Sequence, residues 1–213
     1  MSETLSDGRR ALLHRRVRLI VAFTIIYNVI EAIVSIVAGV TSSSTALIGF
    51  GLDSAIEVTS AVAVAWQFTR KDPERWEKAT VRAIACAFFA LAAYVVADTA
   101  FGLFEENTIA HSPLGIVITV MSIVLMPLLA MIETQTGREL GSRSVQADAK
   151  QLLLCVYLSG TVLIGLLANS LFNWTWADRV AALVVAVLAI REGIEAWRGD
   201  VESGFEVIEK LKE

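Results

Sequence analysis

Six apolar segments, at residues 17–40, 45–69, 79–104, 113–133, 147–170 and 177–197, limit what this chain can fold into. Each reaches or exceeds the roughly 20 residues a helix needs to cross bilayer hydrocarbon. Backbone N–H and C=O groups find no water there, so a spanning segment closes its hydrogen bonds within itself as a helix. Little of the 213-residue chain lies outside these segments, and 55% of its residues are hydrophobic, against about 45–50% in an ordinary soluble domain. The expected fold is therefore an all-α membrane protein of six transmembrane helices.

Lys and Arg collect in cytoplasmic loops, and here they alternate from loop to loop. Arg9, Arg10, Arg15, Arg16 and Arg18 precede the first segment, Arg70, Lys71, Arg75, Lys78 and Arg82 surround the second loop, and Arg138 and Arg143 lie in the fourth. Arg191, Arg198, Lys210 and Lys212 follow or close the last segment, whereas TSSST, FEENTIAHSP and SLFNWTW carry no Lys or Arg. Both termini are thus expected in the cytoplasm. The chain divides into a basic cytoplasmic tail (1–16), a six-helix transport unit (17–198) and a short amphipathic cytoplasmic tail (199–213) in which Val201, Phe205, Ile208 and Leu211 recur at helical spacing. A plasma (cell inner) membrane location is expected, with the lipid bilayer as the constant partner.

Local signals agree with the segment edges. Asp72–Pro73 and Ser112–Pro113 each read as an N-cap followed by a first helical residue. Trp66, Trp174, Trp176 and Trp197 fall near segment ends, where indole rings favour the headgroup level. Pro127 lies inside the fourth segment and is expected to kink or loosen it. Cys86 and Cys155 both lie within segments, so no disulfide framework is expected.

Against this background, acidic residues within the apolar segments stand out. An ionised Asp at a bilayer centre costs about 2.5–3.5 kcal/mol on insertion scales, so such acids usually mark an ion or proton path. Asp53 and Glu57 lie four residues apart in SSSTALIGFGLDSAIEVTSAVAVAW and so share a helix face. Gln151 and Cys155 repeat that spacing in the fifth segment. With six spans, segments two and five run antiparallel, each the middle helix of three. Facing each other, they would set Asp53 level with Cys155 and Glu57 with Gln151, four candidate ligands around one point. Three spans per half give the halves inverted topology, a common transporter plan. Asn28, Glu31 and Asp98 are candidate accessory ion or proton sites, pairing across the bundle being the alternative reading and the favoured one for Asp98. His14 and His111 lie outside the segments.

The pattern resembles the cation diffusion facilitators, six-span exporters of divalent metals, over most of the chain. SSSTALIGFGLDSAIEVTSA is similar to that family's second span, whose HxxxD or DxxxD ligand pair falls on Asp53 and Glu57. GRELGSRSVQADAKQLLLC resembles the approach to its fifth span and puts the second pair on Gln151 and Cys155. WADRVAALVVAVLAIREGIEAW resembles its sixth span, and Asn28 the asparagine that often opens its first. The departures are Glu57 in place of Asp, Gln151 and Cys155 in place of His or Asn with Asp, and Glu31, four residues from the family's first-span acid position at Ser35. Only RGDVESGFEVIEKLKE follows the sixth segment where the family usually carries a dimerising cytoplasmic domain, so a homodimer would be built through the transmembrane helices.

The candidate ligands have a chemical bias. Two carboxylates and a thiolate favour zinc, with cadmium as a second soft or borderline ion, over magnesium or manganese. Cys155 reads equally as an inert buried thiol, and Gln151 as an interhelical hydrogen-bonding group. Metal ligands bind deprotonated, so protons compete with the metal, and proton antiport with alternating access follows. The resulting expectation is a secondary transporter exporting a divalent cation, with no permanently bound cofactor. The alternative is a transport-inactive membrane scaffold or regulatory protein that keeps the fold. HExxH and GxSxG are missing from the sequence, as is any nucleic-acid-binding signature, so neither an enzyme nor a nucleic-acid partner is expected.

Overall fold

A computed structural model describes residues 7–68, 73–102, 109–140 and 143–198. The side chains of 7, 10, 11, 14, 60, 61, 63–68, 73–81, 140 and 143–151 lie outside the described set. The expected 199–213 amphipathic tail, the Asp72 cap and the side chains of Trp66, Lys150 and Gln151 therefore lie outside the described residues. The described residues form six helices and no strand: α1 (Asp7–Ser42), α2 (Thr45–Phe68), α3 (Pro73–Gly102), α4 (Pro113–Leu140), α5 (Arg143–Phe172) and α6 (Thr175–Arg198). Four of them are long and apolar enough to cross a membrane, over Arg15–Ser42, Arg82–Gly102, Pro113–Glu139 and Leu152–Phe172. Of the other two, α2 contains Asp53 and Glu57 and has side chains outside the described set at 60, 61 and 63–68, and α6 contains Asp178, Arg179, Arg191, Glu192 and Glu195.

Every apolar segment lies within or largely overlaps one helix, but several helices run further. α1 starts at Asp7, well before residue 17, and α4 continues to Leu140. The extra turns are held from the side: Leu13 is fully buried, and Arg9 pairs with Glu139 at 2.7 Å. α4 also runs unbroken through Pro127.

The polar contacts at each end give the direction of the helices. At one end the start of α2 meets the start of α6, where the Ser44 hydroxyl donates to Asp178, and Thr45 donates to Asp98 near the end of α3. The Ala110 amide donates to the Ser42 carbonyl, Asn169 of α5 to the Ile109 carbonyl, and Arg179 to the Gly102 carbonyl. The other end joins α1 to α4 through Arg9 and Glu139, and α3 to α6 through Arg82, 5.4 Å over the Trp197 ring. Consecutive helices are therefore antiparallel. α1 packs on α2 and α4, α3 on α2 and α6, α5 on α4 and α6, and α2 also touches α5 and α6.

Two of the connections at the first end, α1 to α2 and α5 to α6, are short, and in each the helix stops in one left-handed residue. Ser43 (φ 56°) ends α1 and Asn173 (φ 54°) ends α5. In each case an amide beyond the helix reaches back into its last turn, Ser44 five residues to the Gly39 carbonyl and Trp174 six residues to the Ala168 carbonyl. Ser112 caps α4 as the sequence predicts, its hydroxyl accepting from the Gly115 amide at 3.3 Å.

The bundle is apolar outside and mixed inside. Leu19, Ile26, Ile33, Val40, Ile164 and Val187 are all exposed by more than half, whereas Asn28, Glu31, Ser35, Asp53, Ser122 and Ser159 are buried. That inversion suits a lipid solvent, because exposed aliphatic side chains lose nothing there and inner polar groups find each other. Close approach of α1 and α2 depends on small residues. A β-carbon at Gly51 would lie 2.8 Å from Ile36 Cγ1 and 2.9 Å from the Ile36 amide nitrogen. Gly51→Val is expected to destabilise the protein by about 1–3 kcal/mol through overpacking. Gly160→Ala, with nothing within 4 Å of the new carbon, should be neutral or gain about 0.4–1 kcal/mol. Thermal unfolding in detergent checks both, and equal melting temperatures would contradict the tight α1–α2 crossing.

Candidate metal centre

The inward face of α1 carries Tyr27, Asn28, Glu31 and Ser35, all buried and spaced three or four apart. α2 meets it with Asp53, Ser54 and Glu57, α4 with Ser122 and α5 with Cys155. Asp53 is 4% exposed, Glu57 8% and Glu31 0%. Three carboxyl groups and a thiol therefore share one polar core inside an apolar bundle.

Hydrogen bonds tie this core together. Asn28 donates its amide to Glu57 Oε2 at 2.7 Å. Ser54 donates to Glu31 Oε2 at 2.9 Å, while its own helix carbonyl at Phe50 lies 3.1 Å away as a second acceptor. The Cys155 thiol lies 3.9 Å from Glu31 Oε2 and 3.8 Å from the Ser122 hydroxyl. Tyr27 and Ser122 also flank the Glu31 carboxyl. Glu57, Glu31 and Asp53 are the acidic neighbours of Cys155. Glu31 Oε1 and Asn28 Oδ1 are buried and have no hydrogen-bond partner among the described residues.

Of the residues singled out in the sequence, Asp53, Glu57, Cys155, Asn28 and Glu31 all line this core. The Cys155 thiol meets Glu31 of α1 and Ser122 of α4, with Glu57 and Asp53 of α2 also nearby. Gln151 sits one turn earlier on α5, and its side chain lies outside the described residues. Asp98 is elsewhere, at the end of α3 with Thr45. Asp178 is a buried clamp between α6 and α2, held by Ser44 and the Ala46 amide, and Arg179 turns to the Gly102 carbonyl instead. Among the described residues, no group of three or more His, Cys, Asp or Glu side chains is gathered tightly enough to hold a metal ion in this conformation.

Three acids or hydroxyls of note had not been singled out. Glu133 of α4 is fully buried, on the same stripe as Ser122, Met126 and Ala130. Glu192 of α6 lies near Asp53, and Ser54 is the shared donor between α1 and α2. Glu133 and Glu192 lie at the ends of apolar runs, where depth cannot be read from hydropathy. Ser54, the residue after Asp53, could have been found as the inward position one turn before Glu57 and Val58.

Residues 20–201 match the family described as the cation efflux transmembrane domain. The chain belongs to the cation efflux family, the cation diffusion facilitators. It is an integral membrane protein of a family of transporters rather than enzymes. It is also similar to the magnetosome protein MamB of Magnetospira sp. (strain QH-2), 27% identical over 169 residues. That alignment covers 75% of this chain and 57% of the relative, so the chain spans less than two thirds of that protein's length.

The geometry separates two kinds of serine. Ser54→Ala removes a donor to a buried carboxylate and is expected to lower stability by about 1–3 kcal/mol. Ser159, whose hydroxyl bonds the Cys155 carbonyl of its own helix at 2.7 Å, should lose less than about 0.5 kcal/mol on conversion to alanine. Denaturant titration of the two variants checks the difference, and a larger loss for Ser159→Ala would contradict it.

Proposed function

We propose that this protein is a secondary transporter that exports a divalent metal cation from the cytoplasm, with zinc preferred and cadmium as a second substrate. The observation that carries this reading is the buried core of Glu31, Asp53, Glu57 and Cys155 in a chain of the cation efflux family. Carboxylates at such depth are stable only when paired, hydrogen-bonded or matched to a cation. Asp53, Glu57 and Cys155 supply anionic ligands, and Gln151, one turn before Cys155, an amide oxygen. Carboxylate oxygen with thiolate sulfur suits zinc better than the all-oxygen shell that magnesium prefers. Asn28 and Glu31 line the same core, and Asp98 lies away from it.

In the proposed membrane arrangement all six helices span and both termini face the cytoplasm of a plasma membrane. The end with Arg9, Arg15, Arg16, Arg18 and Arg138 is then cytoplasmic by the positive-inside rule. Two inverted halves are supported by the packing: α1 on α2 answers to α4 on α5, α2 on α3 to α5 on α6, and α1·α4 and α3·α6 join the halves. Binding requires deprotonated ligands, so protons arriving from outside displace the metal as the halves rock, which couples efflux to proton entry.

The test is zinc flux in proteoliposomes with and without a pH gradient. The wild type is expected to move zinc faster with the gradient. Asp53→Ala and Glu57→Ala are expected to fall to the level of protein-free vesicles, and Cys155→Ala by about tenfold. Unchanged flux in Asp53→Ala would overturn the reading.

A further inference from the structure

We infer that Glu31, from the first helix, is a direct ligand of the transported cation, paired with Cys155, so that the cargo is held by α1 as well as by α2 and α5. This inference rests on the transport reading above and adds to it a charged ligand that the α2 and α5 pairs do not contain.

The two oxygens of Glu31 are in different states. Oε2 accepts from Ser54 at 2.9 Å and faces the Cys155 thiol at 3.9 Å, whereas Oε1 is buried without a partner among the described residues. Asn28, one turn before it, repeats the division: Nδ2 donates to Glu57, and Oδ1 has no partner. Two buried oxygens one helical turn apart on α1 thus have no hydrogen-bond partner among the described residues, and a hydroxyl that flanks Glu31, that of Tyr27, is itself unpartnered among them. A buried acceptor left this way costs about 1–3 kcal/mol, and more when it is charged. A cation would satisfy both oxygens at once, which a reorientation of the Tyr27 or Ser122 hydroxyl toward Glu31 would not do for Asn28.

The chain has no side-chain cation to offer at this depth. Residues 19–69, 113–137, 151–178 and 180–190 contain no Lys, Arg or His. A core holding Glu31, Asp53, Glu57 and Cys155 among these stretches can be neutralised only by protons or by a metal. Separation also fits a metal. With a zinc–sulfur bond near 2.3 Å and a zinc–oxygen bond near 2.1 Å, a tetrahedral ion holds its sulfur and oxygen ligands roughly 3.6 Å apart. Cys155 Sγ and Glu31 Oε2 stand 3.9 Å apart, so little movement separates the thiol–carboxyl contact from a shared ion.

Cobalt provides the test, because its absorption reports both sulfur ligation and the remaining ligand field. Co2+ is titrated into the full chain, purified in detergent, for the wild type and for Glu31→Gln, Cys155→Ser, Ser54→Ala and Asp53→Ala, with each variant required to elute as the wild type does. Glu31→Gln keeps the shape of the side chain and its acceptor oxygen for Ser54. It is expected to bind Co2+ about a hundredfold more weakly, the upper limit for loss of a mere supporting partner, and to change the visible ligand-field bands while keeping the thiolate charge-transfer band. Cys155→Ser should lose that band. Ser54→Ala, which removes only a donor to Glu31, should keep the wild-type spectrum at saturation. Wild-type affinity and spectrum in Glu31→Gln, together with lost binding in Asp53→Ala, would overturn the inference and leave the transport reading standing. No Co2+ binding by the wild type would overturn both.

Discussion

The structure depends on keeping three carboxyl groups inside a bundle whose outer surface is hydrocarbon. Each buried acid loses hydration that lipid cannot replace, so its position survives only where neighbouring helices return hydrogen bonds or a cation does so in their place. Asn28 does this for Glu57 and Ser54 for Glu31, both across the α1–α2 interface. The polar core is therefore also what aligns the first two helices. Its remaining oxygens, Glu31 Oε1 and Asn28 Oδ1, have no hydrogen-bond partner among the described residues.

Close packing makes those contacts reachable. Short side chains donate across a helix interface only when the backbones approach, and Gly39 and Gly51 allow this where α1 crosses α2. Gly165 does the same for α5 against Ala181 of α6. The end of the bundle where α2 and α6 begin is pinned separately, by Ser44 with Asp178 and by Thr45 with Asp98. Charge at that end thus joins helix ends, whereas charge in the core lies midway along α1 and α2. Sequence position alone does not distinguish the two uses, since Asp98 and Asp53 both sit in apolar runs.

The helices were legible because a 20-residue apolar run has one way to satisfy its backbone in lipid, and all six runs became helices. Their polar extensions were not, since Asp7–Arg16 and Thr134–Leu140 are helical through contacts made elsewhere, with Leu13 buried and Arg9 on Glu139. Asp53 and Glu57 were legible as a pair from their spacing. Glu31 was visible but read as an accessory, because its nearness to Cys155 depends on how α1 and α5 cross the bundle, which spacing along either helix does not encode. Glu133 and Glu192 are not legible for a related reason: the end of an apolar run looks interfacial until a neighbouring helix is seen to cover it.

If the core binds its cargo as described, the metal itself must carry the record. Zinc-edge X-ray absorption of the zinc-loaded protein in detergent tests this most directly. The expected result is a four-coordinate ion with one sulfur about 2.3 Å away and oxygen or nitrogen neighbours at about 2.0–2.1 Å. A six-oxygen shell without sulfur would contradict it.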